Sequence, residues 1–124
     1  MATTSTDHLA VFRSYEEVFE MLRKLVAAAD PVATAAVRTA VFERAISHYC
    51  AVLATTGLVP RSDRQRFFER MHADFVRYAP AGYQPPPGPR GVKFRLVKRR
   101  SYLTYELLEP LNRLRVAISA SRRP

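Results

Sequence analysis

Three histidines, His8, His48 and His72, and one cysteine, Cys50, are the side chains here that could bind zinc or move a proton near neutral pH. Their spacing argues against both. The histidines fall on three different expected elements, and no HExxH, CxxC or paired Cys/His spacing occurs. His48 follows Ser47 and precedes Tyr49 within an apolar helical run, where a partly buried histidine with a hydrogen-bond partner is a plainer reading than a general base. The aspartates at 7, 30, 63 and 74 are isolated, so no D-x-D pair can hold a divalent ion against a diphosphate. The glycines at 57, 82, 88 and 91 neither match GxGxxG nor precede Lys-Ser/Thr, which removes the common phosphate-cradling loops. The residues therefore assign no catalytic group, no metal and no cofactor.

Binding chemistry is better represented. Residues 1 to 89 hold ten Lys+Arg against nine Asp+Glu, whereas residues 90 to 124 hold ten against two, so the net charge of +9 divides into +1 and +8. The candidates for anion or membrane binding are Arg90, Lys93, Arg95, Lys98, Arg99 and Arg100, with Arg113, Arg115, Arg122 and Arg123 behind them. Phe94, Leu96 and Val97 interleave with these cations and Tyr102 and Tyr105 follow, which predicts an apolar stripe flanked by positive charge. Such a segment suits an anionic membrane surface, where each cation contributes on the order of 1 kcal/mol and the stripe dips inward. A phosphate-bearing polymer or a nucleic acid attracts the same cations, and a solvated face that aids solubility is the bland alternative. Pro86 and Pro89 stand in a PxxP spacing that could meet an aromatic groove, although a rigid spacer explains it more simply.

The elements that must position these residues read as helices. Phe12, Tyr15, Phe19, Leu22 and Val26 recur in steps of three and four, with Asp7 as the expected N-cap. Asp30-Pro31 ends that helix and starts a second over about residues 31 to 56, with Gly57 as a left-handed cap. This central helix carries two apolar rows, Val37, Val41, Ala45, Tyr49 and Phe42, Ile46, Tyr49, Leu53. They leave a polar strip through Thr39, Glu43 and Ser47. The run SDRQ at residues 62 to 65 matches a capping box for a third helix with Phe67, Phe68, Met71 and Phe75 inward. Residues 80 to 91, PAGYQPPPGPRG, hold five of the nine prolines and three of the four glycines, which predicts an extended connector without helix. A weak helical pattern over residues 92 to 98 leads to a strong one through Leu103, Leu107, Leu111, Leu114 and Ile118, kinked at Pro110.

The predicted class is a small all-α bundle: a three-helix core over residues 1 to 79, a connector over 80 to 91, and a basic amphipathic helix pair over 92 to 124. A length of 124 residues with 48% hydrophobic composition fits a single domain with a modest core. MATTSTDH lacks the basic and apolar regions of a leader, and no apolar run approaches the roughly 20 residues of a spanning helix. A cytoplasmic protein follows as the expectation, with Cys50 an inert buried thiol.

Three segments carry a resemblance: STDHLAVFRSYEEVF (5 to 19), VFERAISHYCAVL (41 to 53) and RQRFFERMHADFVRYAPAGYQPPPGPRGVKFRLVKRRSYLTYELLEPLNRLRV (64 to 116). They resemble the helical region that follows the catalytic domain in actinobacterial family 2 glycosyltransferases associated with teichoic-acid-type cell-wall polymers, some fused to a CDP-glycerol glycerophosphotransferase domain. The resemblance implies an enzyme at the cytoplasmic face of the membrane that moves a sugar or glycerol phosphate from a nucleotide-activated donor to an anionic or lipid-linked acceptor. No residue here matches the aspartate motif of that catalytic domain. The chain is then expected to be an excised region or a stand-alone accessory partner, without transferase activity alone. Two other classes stay open: a small nucleic-acid-binding protein, favoured by a sequence pI of about 10.4, and a helical interaction scaffold. The scaffold would be favoured if Phe67 and Phe68, adjacent on one helix, were exposed.

Overall fold

The computed structural model describes residues 9–26, 31–55, 57–108, 110 and 118. Among these the fold is all-α: α1 (Ala10–Val26), α2 (Pro31–Ala54), a 3-10 turn (Arg61–Asp63), α3 (Arg64–Tyr78), α4 (Pro89–Lys98) and a helical stretch over residues 102–108, termed α5. The expected caps at Asp7 and Asp30, the side chain of Val26, the residues flanking Pro110 where a kink was expected, and Leu111 and Leu114 lie outside the described residues.

In α1 the stripe behaves as its spacing predicts, with Phe12 buried and Tyr15, Phe19 and Leu22 half-buried. In α2 the inward face is Phe42, Ala45, Ile46, Tyr49 and Leu53. Val37 departs from the expected row and is 49% exposed. It stands nine residues, about two and a half turns, before Ile46, which places the two on opposite faces. The helix ends at Ala54, slightly before the expected boundary, and Gly57 takes the left-handed conformation at φ +79°.

The polar strip of α2 is also not where the sequence places it. Thr39, Glu43 and Ser47 are half-buried, and α2 meets solvent instead through Arg44, His48 and Ala51. The cause lies forty residues downstream. The Tyr83 hydroxyl donates to Glu43 Oε2 at 2.7 Å, and its ring meets Phe42 edge-on at 4.9 Å. The proline-rich connector thus passes over Glu43 and supplies the polar partner that it needs there.

The expected capping box is absent. Asp63, not Ser62, occupies the N-cap of α3, and no side chain caps it. The 3-10 turn takes its place: the Asp63 amide donates to the Pro60 carbonyl at 2.9 Å and the Arg64 amide to that of Arg61. Amides already bonded backwards in this way leave the Ser62 hydroxyl nothing to cap. On α3, Phe67 and Phe68 are both buried, because different neighbours take them. Phe67 lies 4.7 Å from the Phe12 ring, while Phe68 lies between Tyr102 and Tyr105 at 5.4 and 5.2 Å.

The connector ends sooner than its composition predicts, for Pro89, Arg90 and Gly91 are helical. Pro89 occupies the first turn, where its missing amide has no helical partner to lose. Gly91 is buried, and a Cβ built there would fall on the Pro86 carbonyl oxygen, so the backbone of the connector closes directly on α4. Helix α4 ends in a Schellman motif: the Ser101 amide donates to Leu96 O at 2.9 Å and the Arg100 amide to Val97 O at 3.1 Å. Arg100 holds the left-handed position at φ +59°, which costs a non-glycine residue about 1 kcal/mol. Ser101 then opens α5.

Phe94, Val97 and Tyr105 belong to the same buried cluster as Phe12, Tyr49, Leu53, Phe67 and Phe75. The basic end of the chain is therefore seated on the core through residue 108. Arg64 fastens it: its guanidinium donates to Glu106 on α5 at 2.9 Å and to the Leu53 carbonyl in the last turn of α2 at 2.8 Å. Burial works against the charge of Arg64, yet Glu106 more than compensates and raises its pKa above the ordinary arginine value.

Candidate anion-binding surface

The buried polar groups come first, since they could hold a reaction centre. Asp74 is 4% exposed on α3. It accepts from the Tyr49 hydroxyl at 2.9 Å and from Arg70 Nε at 3.1 Å. Arg70 also pairs with Glu16 on α1 and places its guanidinium 5.2 Å from the Phe12 ring centroid. Burial, and then the charge of Asp74, pushes the Tyr49 hydroxyl well above the ordinary tyrosine range. Tyr49 therefore stays a protonated donor, and the network ties α1, α2 and α3 together with its charges answered inside the protein.

The histidines are likewise engaged separately. His48 is exposed, and its Nδ1 lies 3.0 Å from the Tyr15 hydroxyl. The partner comes from another helix, and the site is more open than the sequence suggests. His72 Nδ1 donates to the Val97 carbonyl at 2.8 Å, joining α3 to the end of α4. His8 lies outside the described residues. Cys50 is buried at 6% exposure.

The basic candidates separate into four groups. Arg90 lies 3.9 Å from Glu43 with its guanidinium 5.7 Å from the Phe94 centroid, and Arg100 Nε donates to Glu69 at 2.6 Å. Lys93 is half-buried. Arg95, Lys98 and Arg99 are exposed and make no ion pair among the described residues. Arg113 and Arg115, like Arg122 and Arg123, lie outside them. The structure therefore brings Arg95, Lys98 and Arg99 together at the outer end of α4 and gives Arg90 and Arg100 partners within the fold. The last turn is a favourable place for Arg95 and Lys98 because cations there complement the helix dipole.

The apolar stripe expected among these cations faces the other way. Phe94 and Val97 are fully buried and Leu96 is half-buried, so the interleaved residues of α4 belong to the core. Tyr105 is buried too, and Tyr102 half-buried. Gly91, Phe94 and Val97 share the inward face, whereas Arg95, Lys98 and Arg99 are exposed and Lys93 is half-buried. Apolar groups left at the surface in this part of the molecule include Val76, which shares a pocket with Lys98, at 67% exposure, and Val92, Leu103 and Leu107, at 40%, 77% and 69%.

A second group of cations was not singled out by the sequence. A cleft of about 350 Å³ between α1, α2 and the end of α3 is lined by Arg23, Arg38 and Arg77 beside the stacked rings of Phe19 and Tyr78. Arg23 is held there by Glu20, at 2.6 Å. Arg23 and Arg77 stand in the last turns of α1 and α3, where the helix ends account for them. No group of three or more potential metal ligands occurs among the described residues, and no described helix is long and apolar enough to cross a membrane. Comparison of the chain with protein-family models, curated proteins and solved structures finds no match in any of the three.

Proposed function

We propose that the chain is a helical accessory module that docks on an anionic, phosphate-bearing surface through the outer end of α4. The observation that carries this reading is the exposure of Arg95, Lys98 and Arg99 without a carboxylate partner among the described residues. The core does not enclose them, since all three are exposed at the end of the helix whose Phe94 and Val97 are buried, and neighbouring cations repel one another until an anion arrives. Burial of Phe67 and Phe68 removes the feature that would have favoured a general interaction scaffold.

The resemblance supplies the setting. In this proposal the module serves a family 2 glycosyltransferase that builds a teichoic-acid-like polymer in an actinobacterial cell, at the cytoplasmic face of the membrane. The catalytic domain would be a separate or fused partner, and this chain would hold the enzyme near its acceptor. The binding role rests on the surface geometry, and the association with a transferase rests on the sequence segments.

The test is binding of the wild-type chain and an Arg95→Gln/Lys98→Gln/Arg99→Gln variant to long-chain inorganic polyphosphate and to anionic vesicles. Three cations at on the order of 1 kcal/mol each predict an affinity loss of about a hundredfold. Equal binding by both proteins would assign the surface to solubility alone.

A further inference from the structure

Among the large apolar residues described as exposed, Leu103 and Leu107 are the most open, at 77% and 69%. They are one turn apart on α5, opposite the side that buries Tyr105, and Glu106, three residues after Leu103, flanks them while held by Arg64. The spacing of four and three continues in the sequence through Leu111, Leu114 and Ile118, and Ile118 is 43% exposed. A helix anchored by a buried tyrosine and a bidentate ion pair cannot rotate its leucines inward. They are therefore presented to whatever lies outside.

The charge around this row decides the occupant. Arg95, Lys98 and Arg99, four to eight residues before Leu103 in the chain, are exposed and make no ion pair among the described residues, whereas Glu106 beside the row is already taken by Arg64. A second copy on the row would bring two sets of these cations together, a juxtaposition that like-charge repulsion disfavours. A phosphate polymer or a nucleic acid satisfies the cations but offers the leucines nothing. An anionic bilayer satisfies both, because headgroups meet the guanidinium groups while the acyl boundary takes the leucine side chains. Building on the proposal above, we infer that the occupant of this surface is an anionic lipid bilayer, into whose headgroup boundary Leu103 and Leu107 insert.

The experiment compares wild type with Leu103→Ser/Leu107→Ser against two probes: vesicles of phosphatidylglycerol and phosphatidylcholine in equal parts, and long-chain inorganic polyphosphate. Both leucines are exposed, so the variant is expected to keep the wild-type circular dichroism and melting temperature. Vesicle affinity should fall at least about tenfold, whereas polyphosphate affinity should not change. The sequence contains no tryptophan, so Leu107→Trp makes a single fluorescent reporter. Its emission should shift to the blue with vesicles and not with polyphosphate. Vesicle binding that ignores the serine substitutions, with no emission shift, would overturn lipid insertion while leaving the anion-binding role intact. If wild type bound neither probe, the anion-binding role itself would fall and insertion with it. A wild-type dimer that the serine substitutions dissociate would assign the leucines to a second copy and overturn the inference.

Discussion

Asp74 illustrates how much of this protein is decided by contacts between helices that sequence spacing does not mark. A carboxylate at 4% exposure needs donors, and Tyr49 and Arg70 provide them from two helices. Replacing Tyr49 with Phe removes a hydrogen bond to a charged group and should lower stability by about 1.5–3 kcal/mol at neutral pH. The pH dependence gives a sharper check. Burial and Asp74 raise the folded-state pKa of Tyr49 above its unfolded value. Above about pH 10 the unfolded state has lost this proton and the folded state keeps it, so stability falls as pH rises by up to about 1.4 kcal/mol per unit. Tyr49→Phe lacks that contribution, and the gap between the proteins should narrow from about pH 9 to about pH 11 in denaturant titrations. A constant gap would mean that Tyr49 titrates alike folded and unfolded. Asp74 showed in the sequence only its i,i+4 spacing from Arg70, because its other donor, Tyr49, comes from α2 through a helix packing that only the fold reveals.

Among the elements, what repeats locally was legible and what depends on distant chain was not. The steps of three and four in Phe12, Tyr15, Phe19 and Leu22 describe a helix face and are realised as one. Glu43 shows the limit, since its half-buried position depends on Tyr83 and Arg90 folding back over α2. The start of α4 failed for a related reason. Proline and glycine argue against a helix interior, but at a first turn proline is welcome and at a close approach glycine is required. Gly91 separates the two effects. On helix propensity alone Gly91→Ala would stabilise α4 by about 1 kcal/mol. Because the new methyl meets the Pro86 backbone, overpacking should win and destabilise the protein by about 1–3 kcal/mol. Thermal or denaturant melting decides it, and a higher midpoint for Gly91→Ala would show that the connector yields easily. The basic site was legible as composition but not as geometry. Ten cations in the last 35 residues could be counted, whereas the pairing of Arg90 and Arg100, and the inward turn of Phe94 and Val97, could not.

Taken as a whole, the described part of the molecule joins a nearly neutral bundle to the basic helix α4, and to α5 beyond it, through one apolar core. The fastening by Tyr105, Arg64 and Glu106 means that the positive charge is held on a fixed platform at least as far as residue 108. A fixed platform loses less conformational freedom on docking than a tail would, which favours a surface as the partner. Salt screening over roughly 8 Å weakens such attraction but does not abolish it where cations touch headgroups and leucines enter the boundary. The most direct measurement is cosedimentation of the intact chain at about physiological salt with anionic vesicles, neutral vesicles and a short DNA duplex. Selective retention by the anionic vesicles is the predicted result. Preference for the duplex, or equal indifference to all three, would contradict a membrane-docking role.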